Sequence, residues 1–386
     1  MAKYSILLLL LAALSLIALG ITMLASTTFQ VAHEGGEDYV TLWRQLGWLG
    51  AGTVVCVIMA VVDYNVWMRW RWHILIAAAV LLALCYVPMI GVKINGSKRW
   101  IGLQALGVGG FRVQPSEFAK IALIIALAGW FGTHQALTRT FWRGFVLPGL
   151  ILLGIVALIG CEFDLGSALL ASAVGLGVMF VAGTKMRYLA IIVVLCGGGL
   201  AAGVKFLPNR FERIMVTFDL ENHKEDLGLQ QWVSKLAFGS GGLEGRGLGE
   251  GRMKLSYLPE AHTDFIFPMV GEELGLRGTA AVVLAFAVLV MAGMVVSAYA
   301  PNRFGKLLGA GLTFLLGMEA LLNMGVTTAL LPNKGLPLPF VSYGGSSLVA
   351  AMVAVGILIN IHRQGVHLTW DQLPVIRRKR RWTPQL

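Results

Sequence analysis

Charged residues are scarce in this chain. They make up 13% of its 386 residues, against 57% hydrophobic ones, where soluble domains carry about 25%. That shortage excludes an ordinary water-soluble globule and leaves a membrane protein built from many apolar helices. Cysteine is nearly absent as well. Cys56, Cys85, Cys161 and Cys196 stand far apart, in or beside apolar blocks, with no C-x-x-C spacing. Neither a zinc site nor a disulfide framework is indicated, and all four read as packing residues. No Gly-Lys-Ser/Thr follows the Gly-rich stretch, which excludes a P-loop. No G-x-S-x-G elbow occurs, so a Ser/His/Asp hydrolase lacks support. The basic excess, a net charge of +11, flanks apolar runs, so its expected partner is membrane lipid and not nucleic acid.

What is there is a series of apolar runs. Spans need about 20 apolar residues each, and ten runs fall near 5–25, 46–62, 73–92, 115–133, 144–160, 165–183, 187–207, 279–299, 307–330 and 345–361. The first is too long for a signal-peptide core and others follow at once, so it reads as a span. No tandem repeat or low-complexity linker divides the chain. The expected fold class is an all-α polytopic membrane protein, one domain over 1–386, with about ten transmembrane helices. Segments on the N-terminal side hold fifteen bases, including Lys3, Arg69, Arg139, Lys185, Arg187 and the run 377–381, against two acids, Asp63 and Asp371. The positive-inside rule therefore places both termini in the cytoplasm, with a basic tail over 363–386. On the opposite side lies a long outer loop, 208–278, between spans 7 and 8. Trp232, Phe238 and the apolar stretch from Phe265 argue that it is structured, with short helices on or dipping into the outer leaflet.

Five stretches could carry chemistry. In 95–120, Lys98 and Arg99 precede the interfacial Trp100, and Arg112 precedes "QPSE", a helix start with Pro115 and Glu117 in the first turn. Lys120 follows Glu117 at i+3, on the same face of span 4. The two either neutralise each other or form, with Arg112, a cationic pocket for a phosphate. Glu162 and Asp164 stand at the start of span 6, as helix-dipole partners or as metal or substrate contacts. Arg210 and Arg213 share a helical face, for an anionic headgroup or the interface. In "GSGGLEGRGLGEGRMKLSYLPEAHTDF", glycines permit tight turns, Glu260 and Asp264 are four apart, and Glu272 and Glu273 follow. A carboxylate beside the apolar run that starts at Phe265 is costly unless paired or used. Finally, "LLPNKGLPLPFVSYGGSSL" breaks an apolar region with three prolines. Non-helical backbone at membrane depth lines a cavity or is buried, and Lys334, Ser342, Tyr343 and Ser346 are expected to face that cavity. Glu319, inside span 9, pairs internally, with Asn323 one turn on as its expected neighbour, or belongs to a site.

Together these stretches resemble the SEDS family (shape, elongation, division and sporulation proteins) over nearly the whole chain. The motifs that carry the resemblance are "NGSKRWIGL", "FRVQPSEFAK", "DLGSA", "GSGGLEGRGLG", "LPEAHTDFIF", "GEELG" and "LPNKGLPLPFVSYGGSSL". Two of them, in "LPEAHTDF" and "LPNKGLPLPFVSYGGSS", are more similar to the family's division branch than to its elongation branch. Phe163 stands where the family usually has proline, and Pro268 where a small residue is commoner. The resemblance implies a peptidoglycan glycosyltransferase that polymerises lipid II at the outer face of the bacterial cytoplasmic membrane. It implies that the acid of "HTD", Asp264, is essential, with His262 and Thr263 beside it, and that Arg112 and Lys120 match the family's basic positions. A class B penicillin-binding protein would supply transpeptidation, and other proteins of the division or elongation complex would be partners.

Glycosyl transfer needs a base for the acceptor hydroxyl and stabilisation of the departing pyrophosphate. Asp264 is the expected base, or else it holds a divalent cation, Mg²⁺ or Mn²⁺. Arg112, Lys120, Lys98, Arg99 and Arg210 are the expected cations, and the polyprenyl chain of the donor explains an acid at the lipid boundary. A flippase for the same lipid and a non-catalytic scaffold are the rival readings.

Overall fold

The structure, a computed structural model, describes residues 2–33, 39–87, 90–94, 97–102, 112–162, 164–194, 215–217, 219–226, 228–253 and 262–378. Nine helices among the described residues are long and apolar enough to cross a membrane. They are α1 (Ala2–His33), α2 (Tyr39–Val61), α3 (Asn65–Leu84), α4 (Pro115–Thr133), α5 (Leu147–Cys161, entered through a π turn, Trp142–Val146), α6 (Leu165–Ala182), and three later ones. A shorter helix, α7 (186–194), follows α6; the rest of the expected seventh span, 195–207, lies outside the described residues. Then come α8 (Leu229–Gly241), α9 (Ile266–Ala298), α10 (Arg303–Thr327) and α11 (Gly345–Arg378).

Apolar pattern located the spans, but several boundaries differ: α1 runs on to His33 and not 25, and α2 starts at Tyr39 and not 46. The third helix starts at Asn65, not 73, because the turn rich in Trp and Arg that precedes the apolar core is helical although its hydropathy is low. The helix expected at 279–299 starts at Ile266. Gly275, at φ 66° and ψ −162°, breaks it into two straight pieces, so the last thirteen residues of the expected loop 208–278 are helix. The last helix continues past 361 to Arg378, so the first part of the expected basic tail is helical.

A second departure is a small sheet within the otherwise all-α bundle. β1 (Gly91–Ile94), β2 (Ser97–Gly102) and β3 (Arg112–Val113) form an antiparallel sheet in the order β1-β2-β3. Gly102 opposes Arg112, which brings Lys98, Arg99 and Arg112 onto one three-stranded unit.

The helices pack α2 on α11, α1 on α9, α9 on α10, α3 on α4, and α10 on both α4 and α6. Helix α4 is buried along almost its whole length. Small residues set the close approaches: a Cβ on Gly311 would stand 2.6 Å from Ile124 of α4 and 2.8 Å from Val178 of α6. One end of the bundle is tied by amides and an ion: Tyr64 N–H donates to Asn360 Oδ1 (3.0 Å), Asn302 Nδ2 to Asn65 Oδ1 (2.8 Å) and Gln364 Nε2 to Asp63 Oδ1 (2.8 Å). The other end carries the sheet, the start of α6, α8, the Gly-rich loop, the turn 262–265 and the broken segment 328–344.

Candidate active site

Asp264 sits in the turn 262–265 just before α9, half-buried, ahead of the fully packed Phe265, Ile266 and Phe267. The turn is held by its backbone. Asn323 Nδ2 donates to the carbonyls of Asp264 (2.8 Å) and Leu336 (2.6 Å), and Tyr343 N–H donates to the His262 carbonyl (2.9 Å). The rings of His262 and Tyr343 are 5.8 Å apart. A Cβ on Gly335 would stand 2.5 Å from Asp264 Oδ2, so glycine is what lets the broken segment pass this close to the carboxylate.

That segment is strained at both ends. Ala329 and Phe340, neither of them glycine, have φ of 59° and 67°, a conformation that costs of order 1–3 kcal/mol each. Two serines at its C-terminal end hold the fold. Ser342 is buried and its Oγ accepts from Leu338 N–H (2.8 Å); Ser346 is buried and its Oγ accepts from Gln114 N–H (3.0 Å). Lys334 and Tyr343 are half-buried beside Asp264's turn.

On the far side of the segment stands Asp164. Gly166, one turn into the same helix start, packs on Leu336. Asp164 caps α6 by accepting from Ser167 N–H (3.0 Å) and Ser167 Oγ (2.9 Å), and it also accepts from Gln114 Nε2 (3.2 Å). Arg99 reaches to 3.7 Å of the same carboxylate. Arg112 and Lys98 are exposed on the sheet. Glu162 is not a cap: it is buried, and neither carboxylate oxygen accepts a hydrogen bond among the described residues. Burial pushes its carboxyl up to about 8; the Cys85 thiol and Arg99 oppose the shift and Asp164 adds to it.

Lys120 lies deeper, with 1% of its side chain exposed. Its Nζ donates to Glu117 Oε1 (2.9 Å) and Oε2 (3.0 Å) and to Glu319 Oε1. Lys120 therefore enters the site as the centre of a buried triad and not as an open phosphate ligand. Glu319 pairs with this lysine, from 199 residues away, and not with Asn323. Asn323, one turn along α10, instead holds Asp264's turn. One helix face thus joins the triad to the acid. No local signal marks a role for Gln114, and Asn323 is visible in the sequence only as a polar residue one turn from an intramembrane acid.

Glu272 and Glu273 are fully buried anchors. Glu272 accepts from the N–H groups of Arg252 (2.8 Å) and Met253 (3.1 Å); Glu273 accepts from Gly249 N–H (3.0 Å) and from Ser26 Oγ on α1 (2.8 Å). The Gly-rich loop lies on α9 because a Cβ on Gly241 or Gly245 would meet the carbonyls of Gly271 and Glu273 at 2.0 and 2.2 Å. Helix α8 fixes the loop's other end, with Gln231 Nε2 donating to the carbonyls of Val326 and Leu331, both at 2.8 Å. Arg210 and Glu260 lie outside the described residues. Among the described residues no three His, Cys, Asp or Glu side chains cluster as a metal cage.

An apolar multi-pass bundle with an acid, a strained proline-rich segment and a cationic sheet gathered at one end defines a multi-pass membrane protein. Over residues 6–367 the chain matches the protein family described as "Cell cycle protein", that of FtsW, RodA and SpoVE. The chain belongs to this family. It is 41% identical over 357 residues to the "Probable peptidoglycan glycosyltransferase FtsW" of Geobacter metallireducens, covering 92% of this chain and 94% of that one. It is 35% identical to "Stage V sporulation protein E" of Bacillus subtilis, covering 92% and 96%. Among solved structures it resembles a chain of a peptidoglycan synthase complex studied for the coordination of polymerization and crosslinking, with a TM-score of 0.77, 27% identity, and 92% and 97% of the two chains covered. The rod shape determining protein RodA of Thermus thermophilus is similar at a TM-score of 0.66 and 28% identity, with 92% and 95% covered.

Proposed function

We propose that this chain is a peptidoglycan glycosyltransferase that polymerises lipid II in cell division, at the outer face of the bacterial cytoplasmic membrane. The observation that carries the reading is the placing of Asp264. Its backbone is locked by Asn323 and its carboxylate lies close against Gly335, so an ionisable oxygen pair is held in place beside the apolar start of α9.

Asp264 takes the proton of the acceptor sugar hydroxyl as that oxygen attacks the donor's anomeric carbon. The bond to polyprenyl pyrophosphate breaks on the opposite face, so the anomeric centre inverts. Arg112, Lys98 and Arg99, carried on one small sheet, are the cations for the leaving pyrophosphate. Asp164 keeps Arg99 turned toward the broken segment. His262, Thr263, Lys334 and Tyr343 border the acid and are available to the sugars. Lys120, Glu117 and Glu319 set the position of α10, and through Asn323 that of the acid. A divalent cation, Mg²⁺ or Mn²⁺, would be held on this chain by Asp264 and would supply charge stabilisation for the leaving pyrophosphate. Both termini lie in the cytoplasm, consistent with the basic segments of that side. A class B penicillin-binding protein is the transpeptidase partner.

The test uses purified protein and lipid II in detergent, with glycan chains resolved by gel. Detergent removes the two compartments that transport requires, so product there separates a polymerase from a flippase. Asp264→Asn should lower polymerisation by roughly 10²–10⁴-fold. The bond that Asn323 makes is to the backbone, so melting should be unchanged. Near-normal polymerisation by Asp264→Asn, or loss accompanied by unfolding, would overturn the assignment.

A further inference from the structure

At the end of the bundle away from Asp264 there is a cleft of about 590 Å³ that the chemistry above does not use. It opens between the α4–α5 connection and the turn from α6 into α7. Arg139 lines it from the first, Lys185 and Arg187 from the second, and Phe180 and Met186 supply apolar wall. Among the described residues no acid lines it, and all three cations are exposed. Three like charges around one concavity repel each other unless an anion sits among them.

The cleft's surroundings fix its depth. Phe141, Phe145 and Tyr188 pack together, with ring centroids 5.4 and 5.1 Å from Tyr188, and Phe141 lies 5.8 Å from the exposed Trp142. Trp and Tyr clustered at the end of spanning helices mark the headgroup level. Tyr188 also holds the cations. Arg187 donates to its hydroxyl (3.0 Å) and lies 4.9 Å over its ring, with Lys185 Nζ at 5.9 Å. The floor is fixed by Thr184 Oγ, which donates to the Gly144 carbonyl at 3.0 Å. Phe180 and Met186 are 56% and 62% exposed and continue the cleft along the lipid-facing side of the helices. A phosphate bearing acyl chains matches both halves: anion among the cations, hydrocarbon along Phe180 and Met186. A free phosphate matches only the first.

We infer that this cleft is a specific site for one anionic phospholipid of the leaflet on that face, its phosphate held by Arg139, Lys185 and Arg187. The experiment titrates full-length protein in neutral detergent with phosphatidylglycerol or phosphatidylcholine and counts bound lipid by native mass spectrometry. Phosphatidylglycerol should fill a first site that phosphatidylcholine does not. Lys185→Gln/Arg187→Gln should weaken that site about 30-fold, since ~1 kcal/mol per basic residue is about five-fold each. Arg139→Gln, on a separate connection, should weaken it about five-fold. The control is Arg69→Gln/Lys306→Gln, which removes the same charge from exposed positions elsewhere on the face and should leave the first site intact. Equal losses in the two double variants would mean a diffuse surface charge and overturn the proposal. So would equal binding of phosphatidylcholine, or displacement of the lipid by millimolar inorganic phosphate, which would make the cleft a free-anion site. If the double variant melts early, Arg139→Gln alone decides: an unchanged first site there also overturns the proposal.

Discussion

Removing the charge at Lys120 should cost far more than removing one at Glu319. The triad has one cation and two carboxylates, all of them buried. Lys120→Met strips the sole cation and leaves Glu117 and Glu319 facing each other out of water. Breaking a buried pair from one side costs about 3–5 kcal/mol, a large part of a typical stability of 5–15 kcal/mol. Glu319→Gln should cost much less. It leaves Lys120 balanced by Glu117 at 2.9 Å and keeps an amide oxygen to accept from Nζ, so the change should stay within ~1 kcal/mol. In a thermal unfolding assay in detergent, Lys120→Met should melt lower by on the order of 5–10 °C, and Glu319→Gln should melt near wild type. Adding Glu117→Gln and Glu319→Gln to Lys120→Met should recover most of the lost melting temperature, because the uncompensated charges are then gone. Polymerisation by Glu319→Gln should remain within about ten-fold of wild type, since α10 and Asn323 stay in place. If Lys120→Met melts like wild type, or if Glu319→Gln is as damaging as Lys120→Met, the lysine is not the charge that holds this core together.

Asn323→Ala should free the carbonyls of Asp264 and Leu336 and lower turnover with little change in lipid II affinity; an affinity loss with unchanged turnover would place Asn323 among substrate contacts instead. Gly245→Ala forces a Cβ to 2.2 Å from the Glu273 carbonyl at a φ of 83°, and limited proteolysis should then cut within 242–253, which stays resistant in wild type. Glu162, just past the end of its span, gives a pH signature. Its folded value of about 8 stands above the ordinary carboxyl range, so the folded state binds the extra proton and stability falls as pH rises toward 8. Melting curves of wild type should slope downward over roughly pH 5–8, and Glu162→Gln should flatten the slope; an unchanged slope refutes the assignment of that proton to Glu162.

Much of the fold was legible because lipid imposes a simple rule: about 20 apolar residues per crossing. "QPSE" marked the start of α4 and Asp164 the cap of α6, both local signals that the structure bears out. The boundaries failed where local pattern and geometry part. The Trp- and Arg-rich first turns of α3 are helical without being hydrophobic. Gly275 hid the helix before it, since a kink interrupts periodicity. The sheet at 91–113 was invisible because strands of two to six residues give too few alternations to read. In the site, Asp264 was legible as an acid at an apolar edge. Its neighbours were not: Asn323 is 59 residues away and Lys120 meets Glu319 across 199. Such pairings depend on helix packing, which no local window contains. Ser342 and Ser346 accept from backbone N–H groups, a role that sequence does not separate from ligand contact, because a hydroxyl beside a broken segment looks the same in both.

The break at Gly275 divides α9 into a lever and a mast. The nine residues from Ile266 to Leu274 make an arm of ~13 Å at 1.5 Å per residue. Gly275 is its pivot, Asp264 lies just beyond its N-terminal end, and the Gly-rich loop grips its side through Glu272 and Glu273. A swing of about 10° at the pivot carries the arm's tip ~2 Å, and misplacing a reacting group by about 1 Å can already cost on the order of 10²-fold in rate. A contact that shifted the loop would therefore reach the acid through the arm, without touching the substrate or the acid itself.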